Sequence, residues 1–504
     1  MSQISPPSVS ITNIDLDEGA GTAIIHFDLD QPEGSVLTVD LRASFDGGIT
    51  FIEGPLDLSG DVGENIPIGN GRSITWNFGP IENIQTATIQ LIAYDDEVPS
   101  IQQMVDQVDP DRLMTTLEQI AIPRHHSADP AGLQLVRDSI EQIFQQIGLQ
   151  TSIHTVNYSG AQADNILGRR PGLIDPAKTF IVDGHYDAVE GTPGADDNAT
   201  AVAATLEIAR VLSQYHFKNS LRFIGFAFEE EGIVGAQQYA QNGINAWEEI
   251  HGVLNMEMIG YYSDQPNSQT MPPGFDQLFP AVAAELAANE NRGDFLTIVG
   301  NTASDPLNNI FATASEQYVP QLKRVVLSVP GNGQIAPDLR RSDHAPFWDA
   351  GMQALMLTDG SNYRNPNYHL ASDDVSTIHP EFFINCTKAV LAAAAKLAEP
   401  INAGMDSRTI GEFVGVHEHG TEFPCAIAIH PNPATDRISI ELGSECGKEK
   451  VIATLFDLEG KRLNGATLKG SGSHEFSLKG IATGTYLLVL KSGAASTSIK
   501  IEIK

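Results

Sequence analysis

Histidines, clustered acids and a tyrosine fall where short apolar runs end. The run Phe180-Ile181-Val182 leads into Asp183-Gly184-His185-Tyr186-Asp187. A neutral imidazole is a good zinc ligand, and a carboxylate two residues on can orient its other nitrogen. Gly194-Ala195-Asp196-Asp197-Asn198 stands just before a helical stretch. Adjacent carboxylates repel one another, so a cation accounts for Asp196, whereas Asn198 reads as a helix cap. The run 221–228 leads into Glu229-Glu230-Glu231-Gly232. Carboxylates directly after an apolar strand are costly without positive charge among them. One can ligate a metal while its neighbour takes a proton from metal-bound water. Glu257 closes Leu254-Asn255-Met256-Glu257, and Ser342-Asp343-His344 and Asn367-Tyr368-His369 add imidazoles. A structural histidine or a solvated acidic loop explains any one of these pieces. Taken together, the mixture of imidazole and carboxylate suits two zinc ions. A metal pair can activate water and clamp both oxygens of a tetrahedral intermediate, so the implied chemistry is hydrolysis at a carbonyl.

These residues need a scaffold that presents strand ends together. Continuous apolar runs at 179–183, 221–228, 252–258 and 354–358 alternate with helical periodicity at 101–120, 131–147, 198–215 and 381–398. That texture indicates a mostly parallel sheet covered by helices, an α/β domain over 98–400. Ligands in such sheets gather at the carboxyl ends of the strands.

The flanks read differently. Stretches 8–16, 22–29, 36–45, 72–78 and 86–94 alternate apolar and polar residues between Gly and Asp clusters, as an antiparallel β-sandwich over 1–97 does. Residues 401–424 are polar and Gly-rich and read as a linker. Residues 425–504 are again all strand: 426–429, 437–442, 451–458, 473–478, 485–490 and 497–503. The whole chain has 504 residues and a formal charge of −34, whereas residues 425–504 hold 10 basic and 8 acidic residues. So acidic a chain repels phosphate backbones, which argues against a nucleic-acid partner. No apolar run is long enough for a transmembrane helix. The three cysteines cannot make a disulfide framework; Cys386 reads as a buried thiol, and Cys425 and Cys446 can form a single bridge in an oxidising compartment.

Over residues 100–400 the ordered pieces Gly184-His185-Tyr186-Asp187, Pro193-Gly194-Ala195-Asp196-Asp197-Asn198, Glu229-Glu230-Glu231-Gly232-Ile233-Val234-Gly235, Asn255-Met256-Glu257-Met258-Ile259-Gly260, Ser342-Asp343-His344 and Tyr368-His369 resemble the M28 family of zinc metallopeptidases, which includes leucyl-type aminopeptidases. The resemblance implies two zinc ions per chain. It implies His185 as a ligand of the first, with Asp187 as its orienting partner, and Asp196 as the carboxylate bridging both metals, with a cis peptide to Asp197. Glu230 is implied as a ligand, Glu229 as the general base, and His369 as the last ligand. Tyr368 would donate a hydrogen bond to the developing oxyanion. Glu257 stands where many members carry Asp, and Glu231 is the outsider of the acidic trio.

The first 97 residues are similar to immunoglobulin-like accessory modules. His430-Pro431-Asn432-Pro433-Ala434, Asp457-Leu458-Glu459-Gly460-Lys461-Arg462-Leu463 and the stretch 480–490 resemble the sorting domain of type IX secretion cargo. That resemblance implies the type IX machinery as a partner, a secreted or cell-surface location, and a secretion signal preceding this numbering. The function expected is therefore a secreted dizinc aminopeptidase acting on peptides or proteins. A carboxypeptidase or glutaminyl cyclase of the same fold, or a non-catalytic surface binding protein, is the alternative.

Overall fold

The computed structural model describes residues 5–17, 21–32, 34, 36–45, 51, 56–78, 87–410, 427–431, 433–443, 450–456, 462–492 and 495–504. The chain divides into two compact units, one built on Tyr94–Ala403 and one on Ser8–Ala93 with Gly404–Lys504.

The first unit is built on eight strands: β1 (Gln150–Tyr158), β2 (Ala161–Arg170), β3 (Asp175–His185), β4 (Asn219–Phe226), β5 (Glu249–Glu257), β6 (Leu296–Asn301), β7 (Arg324–Val329) and β8 (Ala354–Thr358). Their order across the sheet is β7-β6-β8-β5-β3-β4-β2-β1. The four central strands β8, β5, β3 and β4 run parallel and are the four apolar runs of the sequence. β2 and β6 pair antiparallel to β4 and β8, so the sheet is mixed towards its edges.

Period-two alternation assigns each central strand to two cores. Phe180 and Val182 of β3 and Leu221 and Phe223 of β4 face one cluster, packed by α1 (Pro110–Ile120), α2 (Pro130–Gln146), α3 (Thr200–Leu212), α4 (Asp305–Tyr318) and α6 (Pro380–Ala398). Ile181 of β3 and Ile224 and Phe226 of β4 face the other, with Phe347 and Trp348 of α5 (His344–Asp349). Both faces are covered, which is why the middles of these strands are mostly apolar. The helical stretch expected over 101–120 breaks in two: Pro110 starts α1, and the Asp109 side chain accepts from the backbone N–H groups of Asp111 and Arg112. Cys386 is buried in α6.

In the second unit, Ser8–Asp17, Thr22–Asp30, Gly69–Asn77 and Asp57–Gly60 form one four-stranded sheet, and Ala403–Ile410, Ala87–Tyr94, Val36–Ser44 and Gly63–Pro67 another. Ile25, Phe27, Leu41, Ile74, Trp76 and Leu91 fill the space between them. A strand thus occupies 403–410, inside the stretch expected to be a linker. Its polar sequence, with the backbone N–H of Ile11 donating to Asp406, hides a strand whose pairing is supplied by distant residues. Towards the C-terminus, sheets of three and four strands enclose Ile438, Ile440, Val451, Leu455, Phe476, Leu488 and Ile501. Cys425 and Cys446, with the bridge expected between them, lie outside the described residues.

Candidate metal centre

The carboxyl ends of β3, β4 and β5 deliver their side chains to one place. His185 is the last residue of β3 and Glu257 the last of β5, both buried. Past β4 the chain turns through Phe228 in a left-handed conformation (φ 56°) and presents Glu229 and Glu230. His369 comes from a loop beyond β8, itself left-handed (φ 59°).

Asp197 lies between the two histidines. Its Oδ1 is 3.4 Å from His185 Nε2 and its Oδ2 is 3.2 Å from His369 Nε2. Glu257 Oε2 is 3.5 Å from His185 Nε2, and Glu230 Oε2 is 3.3 Å from His369 Nε2. Two groups that could hold a metal ion therefore share Asp197, His185–Asp197–Glu257 and Asp197–Glu230–His369, and a further one joins His185, Glu229 and Glu230. Glu229 stands beside them, its Oε2 3.8 Å from His185 Nε2.

Asp196, expected as the bridging carboxylate, is turned away. Its Oδ1 accepts from the backbone N–H of Gly260 (2.9 Å) and its Oδ2 from Asn365 Nδ2 (2.7 Å). The register is set by the backbone. Gly194 is left-handed (φ 54°), and a Cβ there would meet the Asp197 carbonyl oxygen at 2.3 Å. Asp197 and Asn198 have non-helical dihedrals, and the cis peptide joins Asp197 to Asn198 rather than Asp196 to Asp197. Asp373 fixes this turn by accepting from the N–H groups of both Asp196 (3.0 Å) and Asp197 (3.1 Å).

Other residues brace the ligands. The Asp187 carboxylate accepts the backbone N–H groups of Glu229 (3.1 Å) and Glu230 (3.2 Å) and lies 3.7 Å from His185 Nδ1, so it holds the acidic turn as well as facing the imidazole. Ser342 Oγ donates to Glu257 Oε2 (2.7 Å). Asn198, expected as a helix cap, instead donates to the Met256 carbonyl (3.0 Å) and accepts from Met258 N–H (3.0 Å), pinning the end of β5. His344 is a core residue: its Nε2 donates to the Leu339 carbonyl (3.0 Å) and its ring packs edge-on against Trp348. Nothing in the sequence distinguishes Asp197, Ser342 or Asp373 from their polar neighbours.

Tyr368 stacks on His369 with ring centroids 3.7 Å apart. Its oxygen accepts from Arg341 Nη2 (2.8 Å), which leaves the phenolic hydrogen to donate elsewhere. Burial and the nearby Asp197 hold this phenol above its ordinary range, so it stays protonated. Glu257 and Tyr368 also edge a pocket that opens to solvent. Phe275, Leu286, Phe295, Val299, Leu327 and Met356 make it largely apolar, with Asp338 and Arg341 among its polar residues.

The electrostatics call for a cation. Burial raises Glu229 well above the carboxylate range, reinforced by Glu257 and Glu230 and opposed by His185. Glu230 is pushed up to about 7, by burial first and then by Asp197. Burial also works against charge on Asp197, yet His185 and His369 hold it below the ordinary range. His185 Nε2 and Glu230 Oε1 are buried without a hydrogen-bond partner among the described residues. Orphaned donor atoms facing crowded carboxylates fit zinc, which takes imidazole and carboxylate together.

Residues 165–394 match the model described as peptidase family M28, and residues 428–504 that of a secretion system C-terminal sorting domain. An uncharacterized Escherichia coli protein, YfbL, is 28% identical over 303 residues, covering 57% of this chain and 88% of its own length. A probable zinc metalloprotease of Phaeosphaeria nodorum is 25% identical over 391 residues, 66% of this chain and 76% of its own. Among solved structures, a zinc aminopeptidase from Bacillus subtilis is similar at 15% identity and a TM-score of 0.46, over 58% of this chain and 96% of its own.

Proposed function

We propose, from the match of residues 165–394 to the model of peptidase family M28, that the protein is a secreted dizinc aminopeptidase that removes N-terminal residues from peptides. The observation that carries the reading is the pair of ligand groups sharing Asp197. His185, Asp197 and Glu257 would hold one zinc ion, and Asp197, Glu230 and His369 the other. When bound, such a pair supplies a water of lowered pKa and polarises the scissile carbonyl.

The chain's own residues do the rest. Glu229 lies outside the two groups that share Asp197, although it also stands within ligand distance of His185 and Glu230, and burial tunes it upward. It takes a proton from the attacking water and hands it to the leaving amine, as a base with a raised pKa can. Tyr368 donates its phenolic hydrogen to the carbonyl oxygen as negative charge grows there. Arg341 fixes the direction of that phenol. The site's carboxylates attract the free amine of an N-terminal residue, and the apolar cavity beside Glu257 receives a large apolar side chain. The sorting domain over 428–504 supports delivery by a type IX system to the cell surface or beyond.

A mixed peptide library, free and N-acetylated, tests this with zinc-loaded protein and a Glu229→Gln control. The reading expects stepwise loss of N-terminal residues from free peptides only, abolished in the control. Cleavage at the carboxyl end would reverse the polarity. Loss of ammonia from N-terminal glutamine would replace hydrolysis with cyclisation.

A further inference from the structure

One short segment outside the ligand set reaches three of the turns that carry it. Arg124, between α1 and α2, is completely buried. Its guanidinium donates four hydrogen bonds, all to main-chain carbonyls: Nε to Tyr186 (2.7 Å), Nη1 to Ile122 (3.0 Å) and to Pro193, and Nη2 to Gly194 (2.7 Å). Tyr186 sits between His185 and Asp187, and Gly194 lies three residues before Asp197. The next two residues reach the third turn. His125 Nε2 and His126 Nδ1 lie 3.3 Å and 3.1 Å from the same oxygen of Glu231, the neighbour of Glu230. The His126 ring also packs edge-on against Phe228, the left-handed residue before Glu229, at 5.3 Å between centroids.

Two imidazoles on one carboxylate resemble a third metal site. The other nitrogen of His125 argues against it. His125 Nδ1 accepts the backbone N–H of Ala128 (3.1 Å), so a neutral ring carries its proton on Nε2, facing Glu231. A metal would need the lone pair that this proton occupies. His125 is thus set to hold Glu231 rather than an ion, and His126 Nδ1 faces the same oxygen.

We propose that Arg124, His125 and His126 form one positioning element for the metal centre, setting the relative placement of the turns that carry His185, Asp197 and Glu229–Glu230. The proposal rests on the dizinc reading. A guanidinium suits the task because its donors form a rigid planar fork that can span separate carbonyls. An ammonium keeps the charge but presents its donors from a single point. Charge alone therefore does not reproduce the element.

The test compares full-length wild type with Arg124→Lys and His126→Leu. It reads zinc affinity by chelator competition, the visible absorption of the cobalt-substituted protein, kcat and KM. Partners that orient metal ligands are typically worth about 10–100-fold in affinity or activity. Arg124→Lys is expected to weaken zinc and lower kcat by that range, to alter the cobalt bands, and to leave KM within about threefold. His126→Leu, at a half-buried position that spares the core, is expected to shift the cobalt bands and lower kcat in the same direction, by less. It decides the matter if the lysine variant does not fold. Variants that bind zinc and cobalt as wild type does, with kcat unchanged, overturn the positioning role while leaving the dizinc reading intact. A folded wild type that binds no zinc overturns both.

Discussion

The two ligand groups share Asp197 but sit in different surroundings. His185 ends a central strand and its side chain is 0% exposed, whereas the His369 side chain is 36% exposed, on a loop and stacked on Tyr368. Glu257 is braced by Ser342, whereas Glu230 keeps an oxygen with no hydrogen-bond partner among the described residues. The inner group is thus built into the sheet, and the outer one is assembled from two turns. On the dizinc reading the contrast separates two tasks: the strand end would give a buried ligand, and the loop one that solvent can reach.

The strongest perturbation should leave this contrast untouched. Glu229→Gln is expected to lower kcat by about 10²–10⁴-fold, the usual worth of a general base, with zinc content unchanged. Loss of zinc in this variant would place Glu229 among the ligands instead. Changes at the histidines should expose the contrast directly. Dialysis of wild type against a mild chelator is expected to remove the outer metal first, and His369→Ala should retain one zinc ion bound nearly as tightly as wild type binds its last. His185→Ala should weaken both, because Asp197 loses its partner on the buried side. Equal release of both ions would collapse the distinction.

Substrate choice should be separable from metal binding. Thr297 lines the apolar cavity. Thr297→Trp is expected to shift the kcat/KM preference from large to small N-terminal residues by about 10–200-fold without loss of zinc. The smallest effect concerns His344, buried as deeply as His185 but absent from both ligand groups. Burial lowers it from 6.5 to about 3. A histidine depressed in the folded state stabilises fully above its unfolded value, and that contribution is lost as pH falls from about 6.5 towards 3. The melting temperature of His344→Leu should therefore fall less between pH 7 and pH 5 than that of wild type.

The scaffold is legible because apolar runs of strand length have few other uses, and the positions of His185, Glu229, Glu230, Glu257 and His369 follow from where those runs and loops end. The choice between Asp196 and Asp197 is not. Adjacent acids are chemically alike, and the backbone dihedrals after Gly194 decide which one faces the histidines. Asn198 misleads for the same reason: a cap and a brace for β5 look identical before the turn is known. The strand Ala403–Ile410 escapes notice because its pairing comes from residues far away in sequence. The apolar cavity draws on Met271, Phe295, Leu327 and Met356 from four separate segments, which no local pattern joins.

The central claim is that Asp197, and not its neighbour, joins the two metal groups. Zinc per chain, measured by elemental analysis on folded Asp197→Ala and Asp196→Asn proteins, tests it most directly. The account predicts two zinc ions in wild type, two in Asp196→Asn, and fewer than one in Asp197→Ala. Two zinc ions in Asp197→Ala, with loss in Asp196→Asn, would contradict it.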